Sequence, residues 1–232
     1  MQNAIRTTSF LPSTPLAISS RATSKAGRSN TVIYRKPERF IAPLLGYIDL
    51  GLPPDDPAKI AEYYDSLSNS YDQLYGEEQS KKHQKVLTLV GGKRFDLLID
   101  VGCGTGTMLR QIAGHSTRAV GTDISLGMLK NAAGNAKSGN VDLLRADCSA
   151  LPFRSAVSDC VLSISVMKMD HAQTQLSELW RVAKPGGALM LTAFHFDRGT
   201  TSLPKPFGTS THLKVPLSAR ESLYLITLPE RV

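Results

Sequence analysis

Cysteine is scarce in this chain, and the three present, Cys103, Cys148 and Cys160, form no Cys-x-x-Cys pair and no metal-ligating spacing. That excludes a disulfide scaffold and a structural zinc module, and it fits a reducing compartment, the cytoplasm being the expected location. No apolar run approaches the length of a membrane span. No internal repeat is visible, so a solenoid is excluded. Acids are missing altogether from residues 1–36, which hold six basic residues, Arg6, Arg21, Lys25, Arg28, Arg35 and Lys36. The whole chain has 27 basic residues against 20 acids, so the 21 basic residues beyond position 36 nearly balance them. The net charge of +7 therefore belongs to the extension, and the rest of the chain does not indicate a nucleic-acid groove.

Residues 1–36, rich in Ser and Thr, read as a disordered or targeting extension. A transit peptide with this composition would place the protein in an organelle matrix instead. Residues 37–56, with Pro43, Pro53 and Pro54, read as a linker, and residues 57–232 as the domain. Pro57 suits a first helical position. Ile60, Tyr64, Leu67, Tyr71 and Leu74 continue a helical stripe that Gly76 is expected to end, and a second helix is expected over Glu77–Leu89.

The densest signal is Leu97–Gly106, LLIDVGCGTG. A non-alternating apolar run suits a strand buried on both faces of a parallel sheet. It ends at Asp100 and passes into Gly102, Gly104 and Gly106, after which Thr107–Ala113 reads as a helix. Further strands are expected at Arg118–Ile124, Val141–Ala146, Val157–Val166 and Ala188–Phe194. Helices at Leu126–Lys137 and Ala172–Ala183 alternate with them. This alternation predicts an α/β, Rossmann-like, doubly wound and mostly parallel sheet with helices on both faces. Asp197–Thr211 reads as a loop, and Thr211–Leu217 with Ser222–Leu228 as a final antiparallel pair.

The glycine loop lacks the Gly-x-Gly-x-x-Gly spacing of a dinucleotide site. It has Gly-x-Gly-x-Gly with an acid before it, which suits a cationic amino group and would repel a pyrophosphate. Asp123, nineteen residues after Gly104 and at the end of the second strand, is placed to take both hydroxyls of a ribose. S-adenosylmethionine carries an amino-acid end and a ribose without phosphate, which makes it the expected cofactor.

At this point IDVGCGTG, GTDIS, RADCSALPF, VSDCVLSIS and ELWRVAKPGG together resemble the class I S-adenosylmethionine-dependent methyltransferases. The nearest branch is that of the ubiquinone/menaquinone-biosynthesis C-methyltransferases. The resemblance covers roughly residues 60–194. It implies a seven-stranded sheet in the order 3-2-1-4-5-7-6 with the seventh strand antiparallel. It also implies that Asp100, Gly102, Cys103, Gly104 and Gly106 hold the methionine end and that Asp123 takes the ribose. Ile124 would lie against the adenine, Asp147 and the Cys148 backbone would meet its edge, and Ser163 or Ser165 would line the methionine side. Tyr71, in Tyr71-Asp72, would lie over the cofactor.

Blander readings stand beside these. Asp147 is also a plausible turn acid, Asp100 and Asp123 are also possible helix caps, and Tyr71 is also a packing residue. Cys103 and Cys160 read as small buried residues, and Trp180, Met167 and Met169 as core. Weak candidates for a general base are Lys168, His171 and His195. Ser165-Val166-Met167-Lys168 stands where nucleic-acid N-methyltransferases carry Asn/Asp-Pro-Pro-Tyr, which counts against amino groups of bases as acceptors. The expected function is methyl transfer to a small molecule. RNA or protein methylation with an activating partner, or a silent cofactor-binding scaffold, are the alternatives, and a nicotinamide dehydrogenase stands behind both. No metal is expected.

Overall fold

The computed structural model describes residues 56–167, 172–194, 211–218 and 221–230. The expected extension, the expected linker up to residue 55, the candidates Lys168, His171 and His195, and most of the loop expected at 197–211 lie outside the described residues.

Helix α1 (Pro57–Leu67) starts where Asp56 accepts the backbone N–H groups of Ala58 and Lys59 and Pro57 has no N–H that needs an acceptor. It stops at Ser68–Ser70, where the Ser68 and Ser70 hydroxyls bond back to the carbonyls of Asp65 and Leu67. Such local bonds offer the backbone an alternative to the helix. Helix α2 then runs unbroken from Tyr71 to Val90. This corrects the expected break at Gly76. A lone glycine costs a helix about 1 kcal/mol against alanine, which the remaining turns absorb, whereas the serine pair competes for backbone partners.

The strands are β1 (Phe95–Val101), β2 (Ser116–Asp123), β3 (Val141–Arg145), β4 (Ser158–Ser163), β5 (Ala183–Phe194), β6 (Thr211–Pro216) and β7 (Glu221–Thr227). Helices α3 (Thr107–Ile112), α4 (Leu126–Asn135) and α5 (Ala172–Val182) connect them, with one 3₁₀ turn at Ala113–His115 after α3. The sheet order is β3-β2-β1-β4-β5-β7-β6, as the resemblance implies, with β7 reversed relative to the other six strands. Two strand boundaries differ from expectation by three residues or more. β4 ends at Ser163, three residues early, and β5 begins at Ala183 rather than Ala188. Between those two residues the chain bulges, so that Ser158 pairs with Ala183 and Cys160 already with Ala188. Gly186 sits there at φ 72°, a conformation that glycine permits.

Alternate side chains of each central strand enter separate cores. Leu98, Cys160, Leu162 and Met190 pack with Val86 of α2, Leu109 of α3 and Leu129 of α4. Ile99, Val161, Leu189 and Leu191 pack with Leu176 and Leu179 of α5. Burial of one such leucine is worth roughly 1.5–3 kcal/mol, and both cores press on the strands whose carboxyl ends carry the site. Trp180 and Met167 join the second core, as expected of packing residues.

Candidate functional site

β1 delivers Asp100 and β2 delivers Asp123 to the same edge of the sheet, since Asp100 pairs with Gly121 and Val101 with Thr122. The Gly102 and Cys103 N–H groups both donate to the Thr122 carbonyl, at 2.7 and 2.8 Å, which folds the chain sharply after Val101. Gly102, Gly104 and Gly106 take φ values of 72°, 54° and 76°, the left-handed region that other residues avoid. A β-carbon at Gly102 would stand 2.3 Å from Val166 Cγ2, and one at Gly106 would stand 2.9 Å from Ala132. At Gly104 it would meet nothing within 4 Å. The outer two glycines are thus required by close packing, and the middle one faces open space.

Around that space the charges are unusual. Asp100 is 2% exposed, and its Oδ2 has no hydrogen-bond partner among the described residues. Burial, reinforced by the Asp123 charge, lifts its carboxyl pKa to about 7. Asp123 is also buried. Its Oδ2 accepts the Gly104 N–H and its Oδ1 the Ser125 N–H, both at 2.9 Å. Burial raises it to about 6 despite those two bonds. Two carboxylates without a cation between them are a poor arrangement for a protein alone and a good one for a positively charged ligand.

Helices α1 and α2 are tied over this edge. Asp65 accepts the Ser125 hydroxyl at 2.5 Å and the Gly127 N–H at 2.8 Å. The Ser125 hydroxyl in turn accepts the Met128 N–H and so caps α4. Asp72 accepts the Thr105 hydroxyl at 2.6 Å. Tyr71 is half-buried among Tyr64 and Tyr75, with ring centroids 6.5 and 5.0 Å away. Burial and the charge of Asp123 raise its phenol above the ordinary value, so it stays protonated.

The other expected residues fall as follows. Cys103 turns its thiol into the first core, and its carbonyl accepts the Gly106 N–H. Ile124 is half-buried, with its carbonyl accepting Arg145 Nε. Asp147 Oδ1 accepts the Ser149 N–H at 2.8 Å, so part of that carboxylate serves a turn. The neighbouring Cys148 thiol is pushed up to about 11, chiefly by burial and then by Asp147. Ser163 is buried at the last position of β4. Ser165 carries φ 63° and directs its hydroxyl to α2, where Lys82 Nζ lies 2.8 Å away.

Sequence reasoning missed Asp65, Thr105, Lys82 and Glu221. Asp65 directly follows Tyr64 of the apolar stripe on the same helix, and that adjacency was the available signal. Lys82 and Glu221 meet across 139 residues of sequence at 2.9 Å, and nothing local announces the pair.

Residues 99–191 match a family described as a methyltransferase domain. The demethylmenaquinone methyltransferase of Thermobifida fusca is 30% identical over 176 residues, covering 72% of this chain and 73% of that one. The demethylmenaquinone methyltransferase of Renibacterium salmoninarum is 31% identical over 143 residues, 60% of each chain. The chain belongs to the class I S-adenosylmethionine-dependent methyltransferases. Among solved structures, the N-methyltransferase NodS of Bradyrhizobium japonicum bound to S-adenosylhomocysteine superposes with a TM-score of 0.54 at 14% identity. That superposition covers 66% of this chain and 88% of that one and establishes a shared fold. The methyltransferase cofactor is S-adenosylmethionine, and the site fits it on three counts. Asp100 Oδ2 is an orphaned anion for an ammonium, the Gly104 cradle is open, and Asp123 keeps a lone pair on each oxygen for a ribose diol. Among the described residues no helix is long and apolar enough to cross a membrane, and no cluster would hold a metal.

Proposed function

We propose that this methyltransferase moves a methyl group from S-adenosylmethionine to a small-molecule acceptor. The observation that carries the reading is the orphaned Asp100 carboxylate beside the open Gly104 position, a cation site with no cation of its own. Bound there, the cofactor supplies a methyl group made electrophilic by a sulfonium. In this reading Asp100 takes the ammonium, and Gly102, Gly104 and Gly106 let the backbone approach the methionine end. Cys103 shapes the loop from the core side. Asp123 takes the ribose hydroxyls and Ile124 the adenine face. Asp147, with the oxygen its turn does not use, and the Cys148 backbone meet the adenine edge. Ser163 closes the methionine side, and Tyr71 lies over the cofactor as a neutral phenol.

The protein's main task is then alignment, which is worth on the order of 7–11 kcal/mol of barrier when reacting atoms are held in near-attack geometry. A base is required only where the acceptor must lose a proton. The two curated relatives are named for a quinone-type small molecule, which supports an acceptor of small-molecule size. We place the enzyme in a reducing compartment, the cytoplasm first, because Cys103, Cys148 and Cys160 are all free thiols.

Isothermal titration with S-adenosylmethionine tests the donor half. Micromolar binding that disappears in Asp123→Ala is expected, and no heat from the wild type, or tighter binding of NADH, refutes the reading. A labelled-methyl screen over metabolite, RNA and protein extracts tests the acceptor half, and label entering only macromolecules would overturn it.

A further inference from the structure

Of the five stretches that carry the resemblance, ELWRVAKPGG is the one that supplies nothing to the cofactor side. Its Glu178 and Arg181 lie one turn apart near the end of α5. Arg181 Nε donates to Glu178 Oε1 and Nη2 to Oε2, both at 2.7 Å. The pair then reaches out of its own helix. Arg181 Nη1 donates to the Phe153 carbonyl at 2.7 Å, and Nη2 donates to the Leu151 carbonyl at 2.9 Å. Glu178 Oε2 accepts the Leu151 N–H at 2.8 Å. Two side chains of one helix thus hold three backbone groups of the connection between β3 and β4. A guanidinium suits the task because its planar fork serves a carboxylate and carbonyls together, whereas a lysine offers no such fork.

That connection, residues 146–157, has no helix or strand of its own, and it carries Asp147 and Cys148. Ties to its neighbours give it order. The Ala146 N–H donates to the Asp123 carbonyl at 3.0 Å. The Ala156 and Val157 N–H groups donate to the carbonyls of Arg181 and Val182 at 2.7 and 2.9 Å. Asp147 and Cys148 therefore sit on a short span, 147–150, fixed at one end on β2 and at the other on Leu151. Within the span, Asp147 Oδ1 accepts the Ser149 N–H and the Asp147 carbonyl accepts the Ala150 N–H, so the turn follows its anchors as a unit. The Leu151 side chain is buried in the second core. Apolar burial is non-directional, so it keeps the connection on the sheet without setting the direction of its peptides. The bonds from Glu178 and Arg181 set that direction.

We propose that Glu178 and Arg181 are positioning residues for adenine recognition, which by holding Leu151 and Phe153 aim the Asp147 carboxylate and the Cys148 N–H at the adenine edge. The inference rests on the assignment of Asp147 and Cys148 under the proposed function. Glu178 and Arg181 themselves do not touch the cofactor. In that assignment Asp147 accepts from the amino group of adenine, and the Cys148 N–H donates to a ring nitrogen. Hypoxanthine reverses both positions, setting a carbonyl against the carboxylate and an N–H against the N–H. A site built to hydrogen-bond one partner rejects the mismatched one strongly, provided that its groups are held in place. A turn released from Glu178 and Arg181 can draw back from the mismatch, so the pair governs the choice between the two bases.

The test titrates S-adenosylhomocysteine and S-inosylhomocysteine into the full-length protein by calorimetry. Wild type is expected to prefer the adenosyl compound at least tenfold, and Asp147→Ala to lose that preference. Arg181→Lys, which keeps the charge without the fork, and Glu178→Ala should each reduce it below threefold, chiefly by weakening the adenosyl compound. Ile226→Ala opens the same core from β7 without touching the connection. It should lower Tm and leave the preference at tenfold or more, which separates positioning from a general loss of stability. A preference that survives Arg181→Lys or Glu178→Ala, or that Ile226→Ala also removes, overturns the proposal. If one variant of the pair does not fold, the other decides. Failure of both to fold overturns it too and makes the pair a support of the core. A wild-type preference near one, or one that survives Asp147→Ala, overturns the assignment of the adenine edge and this inference with it. Failure of wild type to bind either compound instead overturns the donor half of the proposed function, on which the inference rests.

Discussion

Replacing Asp100 with asparagine should stabilise the ligand-free protein at alkaline pH while abolishing cofactor binding. The carboxyl pKa stands at about 7 in the folded chain against 3.8 for an ordinary aspartate. Below 3.8 both folded and unfolded chains hold the proton, and the site costs nothing. Between 3.8 and 7 the folded chain keeps a proton that the unfolded chain has lost, so stability falls as pH rises. Above 7 the full penalty applies, a difference of 3.2 units, or about 4 kcal/mol at 1.36 kcal/mol per unit. Asparagine removes that charge but buries an amide in its place, which takes back roughly 1–3 kcal/mol. A net gain of about 1–3 kcal/mol is therefore expected at pH 8 and none, or a loss, at pH 4. Urea denaturation of both proteins at the two pH values reads this directly. Binding should move the other way. An ammonium needs the ionised carboxylate, so wild-type affinity should weaken up to tenfold per unit as pH falls below 7, with proton release on binding. Calorimetry in buffers of different ionisation heat measures that release. The reasoning is refuted if Asp100→Asn is destabilised equally at both pH values, or if it still binds the cofactor within threefold of wild type.

Four further outcomes follow from the backbone and the N-terminal extension. Gly104→Ala places a β-carbon in open space at φ 54°, so it should cost about 1–2 kcal/mol of stability and weaken cofactor binding more than tenfold by titration. Gly106→Ala, which meets Ala132 at 2.9 Å, should lose more stability than Gly104→Ala in the same denaturation assay. Gly76→Ala, inside α2 with nothing within 4 Å of the new carbon, should gain about 0.5–1 kcal/mol and raise Tm by a few degrees. Deleting residues 1–36 should leave S-adenosylmethionine affinity within twofold, and loss of folding on that truncation would show that the extension belongs to the domain.

How far the fold was legible depended on the range of the forces that set each element. β1 and its glycine turn were readable because one contiguous stretch carries the apolar run, the acid and the residues able to adopt positive φ. Strand order followed from alternation and from the resemblance. The break between α1 and α2 was misplaced because two signals competed within eight residues. Gly76 is the stronger breaker by propensity, yet Ser68 and Ser70 supply hydroxyls that satisfy carbonyls locally, and local satisfaction won. The start of β5 was missed because the expected helix took in Ala183 and the expected strand began only after Pro185, Gly186 and Gly187, which the sheet accommodates as a bulge.

The two halves of the site differ in the same way. Asp100 and Asp123 are each fixed by a strand end and a few following residues, and that short-range grammar made the donor side visible. Lys82, Ser165 and Glu221, by contrast, are brought together from α2, the turn after β4 and the start of β7. Splitting α2 at Gly76 had even put Tyr71 and Lys82 on different helices, which hid the fact that one continuous helix spans both ends of the site. Along it, Tyr71, Tyr75, Gln79 and Lys82 recur at three or four residues and so share a face. Tyr71 feels the Asp123 charge at one end of that face, and Lys82 holds Ser165 at the other. Substitutions along α2 can therefore reach both the Asp123 side and the turn after β4 without touching the glycine loop.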